Sequence, residues 1–261
     1  MRIGYIQTSP EFGAKERNFE HIRNQTRGLK ADLLVLPELF ATGYTFASEN
    51  EVIELAETDC GMTAGFLMEL SALTDSVIVG GFIEKEETRF YNSLLIVYGS
   101  KVIATYRKIH LFNKEKLWFT PGDKPLQVFE INGVKIGAMI CFDWIFPEVC
   151  RTLAIGGMQV LVHPSNLVMP HCQKAIVTRC IENRIFAVTA NRIGTENRGD
   201  DHFTFTGGSQ ITSPDGRILS SASSDREQVS IVEIDEKQAD NKMINSYNDV
   251  LCDRRPAFYH L

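Results

Sequence analysis

Short, nearly unbroken apolar runs recur along this chain, and three of them stop on a reactive side chain. Leu33-Leu34-Val35-Leu36-Pro37 runs into Glu38, Val102-Ile103-Ala104-Thr105-Tyr106-Arg107 into Lys108, and Val134-Lys135-Ile136-Gly137-Ala138-Met139-Ile140 into Cys141. The last of these reads as a mostly buried strand, and the other two are strand-like. In open α/β folds, chemistry collects at the carboxyl ends of strands. A carboxylate, an amine and a thiol at three strand ends would bring a base, a cation and a nucleophile to one pocket.

The rest of the sequence alternates helical and strand-like segments. The apolar spacing predicts helices over 18–30, 63–74, 148–155 and 173–184, and strands over 77–83, 159–163, 186–189 and 228–234. Gly99-Ser100 separates two strand-like runs as a two-residue hairpin turn, and Ser213-Pro214-Asp215-Gly216 is the turn between 209–212 and 218–222. No Ser/Gly linker, charge block or low-complexity tract divides the 261 residues, so one domain over 1–261 is expected. Mixed hairpins and strand–helix units point to a layered α/β sandwich. The polar tail, about 236–261, would cross to a partner subunit or pack on its own domain.

The net charge of −6 argues against nucleic acid, which calls for a basic face. No apolar stretch approaches the roughly 18 residues that suggest a membrane span. Six scattered cysteines (60, 141, 150, 172, 180 and 252) without a C-x-x-C pair fit free thiols in a reducing compartment, and the expected location is the cytoplasm. Neither H-x-x-x-H nor paired C-x-x-C spacing occurs, so His163, His171 and His202 do not suggest a metal site. Gly80-Gly81 and Gly207-Gly208 lack the Gly-Lys-Ser/Thr ending of a phosphate loop.

A free thiol, with a pKa of about 8.5, is a weak nucleophile at neutral pH and needs an adjacent base or cation. Burial makes a carboxylate a stronger base, and Leu36, Pro37, Leu39 and Phe40 would give Glu38 a dry setting. Lys108 would balance Glu38 and, with the backbone N–H of Phe142, stabilise an oxyanion. Such a set suits attack on a carbon bonded to nitrogen, as in an amide or nitrile. Asp143 and Trp144 are expected to shape the pocket floor, and Tyr44, Asn166 and Val168 to touch substrate. His110 is expected to pack and hydrogen-bond beneath the site, and Cys150, Cys172, Cys180 and Cys252 to be structural.

The order of Leu36-Pro37-Glu38-Leu39-Phe40, Thr42-Gly43-Tyr44, Tyr106-Arg107-Lys108-Ile109-His110-Leu111-Phe112, Phe119-Thr120-Pro121-Gly122-Asp123 and Ile140-Cys141-Phe142-Asp143 resembles the nitrilase superfamily of carbon–nitrogen hydrolases. Pro147-Glu148, Arg151, Pro164-Ser165-Asn166, Arg179, Glu182-Asn183-Arg184, Asn191-Arg192 and Gly208-Ser209 extend the likeness over nearly the whole chain, which looks most like short, single-domain archaeal-type members. The resemblance implies a four-layer α-β-β-α sandwich that pairs with a second copy through a helical face. It also implies a Glu38–Lys108–Cys141 triad, a second active-site glutamate at Glu115, and no cofactor. The implied reaction passes through a thioester, releasing ammonia or an amine and then a carboxylic acid.

In this family, Cys followed by Trp-Glu is typical of nitrilases, whereas Cys141-Phe142-Asp143 looks like amidase branches. The leading expectation is therefore hydrolysis of a small linear amide. Nitrile hydrolysis and N-carbamoyl hydrolysis stand as alternatives. A scaffold that has lost catalysis fits the intact triad less well, and an ammonia-supplying or acyl-transfer module of a larger machine is less expected without a fused synthetase or membrane segment. Acidic amides would need a pocket cation, for which Arg184, Arg192 and Arg198 are available.

Overall fold

The computed structural model describes residues 1–259; the last two residues of the tail, His260 and Leu261, lie outside the described residues. In the first half the elements are β1 (Arg2–Gln7), α1 (Lys15–Gln25), β2 (Leu33–Val35), α2 (Glu49–Leu55), α3 (Met62–Thr74), β3 (Val77–Glu86), β4 (Arg89–Tyr98) and β5 (Lys101–Arg107). The second half contains α4 (Glu115–Trp118), β6 (Val128–Ile131), β7 (Val134–Ala138), α5 (Pro147–Ile155), β8 (Val160–Pro164), α6 (Cys172–Asn183) and β9 (Phe186–Ala190). It closes with β10 (Thr195–Arg198), β11 (Asp201–Thr204), β12 (Gln210–Thr212), β13 (Ile218–Ser221) and β14 (Gln228–Glu233).

Two six-stranded sheets result, in the orders β14-β1-β2-β3-β4-β5 and β13-β12-β9-β8-β7-β6. Each has three parallel strands at its centre, β1-β2-β3 in one and β7-β8-β9 in the other, with antiparallel strands outside them. The central strands are apolar on both faces because both faces are covered. In β2, Leu33 and Val35 point between the sheets, toward Ile136, Ala138 and Val162. Leu34 points the other way, onto Phe19, Phe66 and Leu70 of α1 and α3. Helices α5 and α6 cover the outer face of the second sheet with Val149, Leu153, Ile176 and Cys180. The expected α-β-β-α layering is what the chain adopts.

The expected elements are present, with shifted ends. Helix α1 starts and stops earlier than the 18–30 predicted. Thr26 stops it, donating its hydroxyl to the Ile22 carbonyl at 2.8 Å, and Gly28 follows in the left-handed region at φ 75°. The run ending at Ile140 leaves the ladder after Ala138, turning toward Cys141. The short helix α2 and the hairpin β10–β11 were not anticipated. The described part of the tail packs on its own chain: Lys242 donates to the carbonyls of Asn183 and Arg184 at 3.1 and 3.0 Å, and Arg151 to that of Val250 at 3.3 Å.

Candidate active site

Glu38 follows β2 in a turn that lies directly on β3. The contact requires Gly81: a Cβ there would sit 2.6 Å from the Leu39 nitrogen and 2.8 Å from the Glu38 Cα. Leu39 adopts φ 47°, which swings the chain away and leaves the carboxyl group inside. Glu38 is fully buried. Its Oε1 accepts from Lys108 Nζ at 2.8 Å and from Asn92 Nδ2 at 2.7 Å. Its Oε2 is buried with no hydrogen-bond partner among the described residues.

Lys108 follows β5 and is held in register by its N–H, which donates to the Asn92 carbonyl at 2.8 Å. Its ammonium spans two carboxyl groups, Glu38 and Glu115, the latter at 2.7 Å. Glu115 opens α4 and is itself buried. Its Oε1 also accepts from the Tyr44 hydroxyl at 2.7 Å and its Oε2 from the Phe112 N–H at 3.2 Å. An ammonium has three donors, and these carboxylates use two.

Cys141 begins a short 3₁₀ turn, Cys141–Ile145, at φ 41°. A side chain other than glycine is strained there, and such strain clusters at functional sites. Two groups hold the turn. Asp143 lies beneath it, with Oδ2 accepting from the Ile140 N–H at 2.9 Å and the Tyr106 hydroxyl at 2.7 Å. Asp143 Oδ1 accepts from the His110 N–H at 3.1 Å and meets His110 Nδ1 at 2.8 Å. The His163 ring meets the Cys141 carbonyl through Nε2 at 3.0 Å. Because a carbonyl only accepts, Nε2 carries the proton, and Nδ1 accepts from the Thr189 hydroxyl at 3.1 Å.

The charges at these strand ends reach one another. Burial pushes the Cys141 thiol well above its ordinary pKa, and the Glu38 charge adds to that; Lys108 pulls the other way. Burial works against the Lys108 ammonium, but the charges of Glu115 and Glu38 outweigh it and keep the amine protonated. Burial also raises Glu115, opposed by Lys108 and reinforced by Glu38. Burial lowers His163 to about 4, so this ring is neutral at physiological pH.

A narrow cleft opens at Cys141, lined by Phe112, Phe142, Trp144, Asn166 and the segment Leu167–Met169. Asn166 is 2 % exposed, and neither its Oδ1 nor its Nδ2 has a partner among the described residues. A second narrow cleft lies on the Tyr44 and Glu115 side, with Phe46, Trp118 and Phe203 in its walls and the Lys114–Asp201 ion pair, at 2.8 Å, among its lining residues.

The chain thus gathers Glu38, Lys108, Glu115, Tyr44 and Cys141 into one cluster, with Phe142, Trp144 and Asn166 around the thiol. Asp143 differs from expectation. Its carboxylate is saturated by groups under the turn, and it is not among the residues that line the cleft at Cys141. His110 does pack beneath, stacked on Phe146 with ring centres 3.7 Å apart. Cys150, Cys172 and Cys180 are buried, whereas Cys252 is exposed and belongs to no core. Three contributors were not anticipated: Asn92, His163, and Glu196, which accepts from the N–H groups of Tyr44 and Thr45. The register Ser93↔Arg107 places Asn92 beside Lys108, and no linear motif signals it. No His/Cys/Asp/Glu cluster suited to a metal, and no helix long and apolar enough to cross a membrane, occurs among the described residues.

A family profile described as carbon–nitrogen hydrolase matches residues 2–241. The chain is 43% identical to a protein named nitrilase from Pyrococcus abyssi, covering 99% of each sequence. It is 35% identical to an (R)-stereoselective amidase from a Pseudomonas species, covering 98% of this chain and 92% of that one. Among solved structures, a carbon–nitrogen hydrolase from Helicobacter pylori G27 superposes with a TM-score of 0.88 at 26% identity, covering 99% and 96% of the two chains. The amidase of Nesterenkonia AN1 shares the fold, with a TM-score of 0.81 at 23% identity over 98% and 95%.

Proposed function

The chain belongs to the carbon–nitrogen hydrolase family, within the nitrilase superfamily, and we propose that it hydrolyses a small amide to a carboxylic acid and ammonia with Cys141 as nucleophile, Glu38 as general base and acid, and Lys108 as the electrostatic anchor. The observation that carries this reading is the buried Glu38–Lys108–Glu115 cluster, with a free carboxylate oxygen on Glu38, acting on a strained thiol that burial keeps protonated.

A protonated thiol must lose its proton as it attacks, and Glu38 Oε2 is the unpartnered acceptor in the cluster. In the first step sulfur bonds to the carbonyl carbon, the S–H proton passes to Glu38, and the carbonyl electron pair moves onto oxygen. The spare Lys108 N–H and the Phe142 N–H stabilise that oxyanion. Glu38 returns the proton to nitrogen, the carbon–nitrogen bond breaks, and ammonia leaves a thioester. Water then attacks, giving its proton to Glu38; the carbon–sulfur bond breaks and the thiol is restored. Glu115 and Tyr44 fix the ammonium, and Asp143 and His163 hold the Cys141 turn.

Nitrile hydrolysis is a second reading, favoured by the relative named nitrilase. It would use the same groups through a thioimidate and consume a second water. N-carbamoyl hydrolysis would also use this cluster. Ammonia release across matched amides, N-carbamoyl compounds and nitriles, with Cys141→Ala as control, separates them. Release from amides alone, lost in the variant, is expected. Release from nitriles promotes the second reading, and an inert Cys141 with no turnover overturns both. We further infer a homodimer through the outer face of α5 and α6, where Ile155 and Ile181 are 53% and 47% exposed, with the tail beside it. Sedimentation at micromolar concentration tests this, and a monomer refutes it.

A further inference from the structure

We propose that the acyl part of the substrate is uncharged, and that Asn166 reads a neutral hydrogen-bonding group on it. The inference rests on the hydrolase reading above and names the substrate class.

Among the described residues no charged side chain lines the cleft at Cys141: besides the thiol its walls are aromatic and aliphatic, and Asn166 is the one amide in them. A carboxylate or ammonium on the substrate would lose its water there and gain no counter-charge, which is costly. Each arginine that could have served an acidic substrate is engaged elsewhere. Arg192 is buried against Glu196 at 2.5 Å and lies over the Phe205 ring. Arg198 pairs with Glu51 at 2.5 Å and with the Thr45 carbonyl at 3.0 Å. Arg184, at the end of α6, donates to the carbonyls of Asn241 and Pro214 at 3.3 and 3.4 Å. Asp201, in the neighbouring cleft, is already neutralised by Lys114, and Asp143, under the turn, is saturated by its own donors, so neither offers much to a cationic substrate.

Asn166 supplies the positive half of the argument. It follows β8, as Cys141 follows β7, and is buried with neither its Nδ2 nor its Oδ1 partnered among the described residues. Buried polar groups left unpaired are costly, so native interiors pair them. A group that accepts from Nδ2, donates to Oδ1, or does both completes it: a hydroxyl or a carboxamide, not a methyl. The remainder of the acyl group faces Phe112, Phe142, Trp144 and Leu167.

The test uses four small primary amides: isobutyramide, lactamide (in which one methyl becomes a hydroxyl), succinamic acid and 4-aminobutanamide. Turnover is measured on the full chain, and binding of the same compounds on Cys141→Ala. The two neutral amides are expected to exceed both charged ones by roughly 100-fold in kcat/KM and in affinity. Lactamide is expected to lead isobutyramide by about tenfold, an advantage that Asn166→Leu abolishes through KM. Charged amides that bind as well as neutral ones, or a lactamide advantage unchanged in Asn166→Leu, overturn the inference. If no amide turns over while the neutral pair still binds selectively, the amidase reading fails and the inference stands.

Discussion

Replacing Lys108 by methionine isolates what the central ammonium does. Methionine keeps most of the side-chain volume, so the change removes a charge and two hydrogen bonds without opening a large cavity. The lysine side chain is fully buried, and its two partners are 0% and 4% exposed, so water cannot replace it. Two charge-assisted bonds at about 1.5–3 kcal/mol each give a gross loss of roughly 3–6 kcal/mol. Breaking one side of a buried ion pair costs about 3–5 kcal/mol. Relief from burying the ammonium offsets part of that, so we expect a loss of about 3 kcal/mol at pH 8. With a urea slope near 3 kcal/mol/M, the midpoint should fall by about 1 M. The pH dependence follows from sign. Without Lys108, Glu38 and Glu115 face each other in a dry site, which favours protonated carboxyl groups in the folded chain. A folded-state pKa raised above the unfolded value adds stability below the unfolded value and loses it as pH rises through the folded one. The deficit should therefore shrink from pH 8 toward pH 5, and also in a Lys108→Met/Glu115→Gln double variant. Urea unfolding at both pH values checks this. A deficit below about 1 kcal/mol, or one indifferent to pH and to Glu115→Gln, would refute the electrostatic account.

Three further outcomes are expected. Glu38→Gln retains an oxygen for Lys108 but loses the base, so turnover should drop by roughly 10²–10⁴ while iodoacetamide still labels Cys141, read by steady-state assay and mass spectrometry. Asp143→Asn points an NH₂ at a site where donors converge from Ile140, Tyr106 and His110; calorimetric unfolding should show a loss of about 2–4 kcal/mol. Gly81→Ala drives a methyl into the Glu38 turn and should cost about 1–3 kcal/mol, with kcat falling further than the stability loss explains; full activity would mean that the turn accommodates it.

The parallel strands were legible because burial on both faces writes itself as an unbroken apolar run. The abrupt end of such a run is what marked Glu38 and Cys141; Lys108 instead follows β5, an antiparallel edge strand buried only toward its end. Less was legible where one local signal had to be noticed alone. Ser48-x-x-Glu51 is a helix-start pattern, and the Ser48 hydroxyl does accept from the Glu51 N–H at 3.4 Å. Asn132-Gly133 is a hairpin signal; both residues take positive φ, 53° and 79°, between β6 and β7. Asn92 was not legible, because its partner is set by cross-strand register. The direction of Asp143 was not legible either, because residue order within a 3₁₀ turn does not say which side of it a carboxylate leaves. His163 was weighed only for a metal site and set aside, whereas a neutral ring bonded to the Cys141 carbonyl is evident only in three dimensions.

The site draws its groups from both sheets: Glu38 and Lys108 end strands of the first, Cys141 ends a strand of the second. Nucleophile and base thus sit on opposite sides of the seam between two separately hydrogen-bonded units, and their separation is set by how the apolar faces dock. A nascent or partly folded chain with either sheet complete holds no reactive pair, so the chemistry is armed only by the final closure. On refolding from urea, catalytic activity should return later than strand content, with the kinetics of the Leu33, Val35, Ile136 and Val162 interface. Activity recovered together with the circular-dichroism signal would place docking earlier.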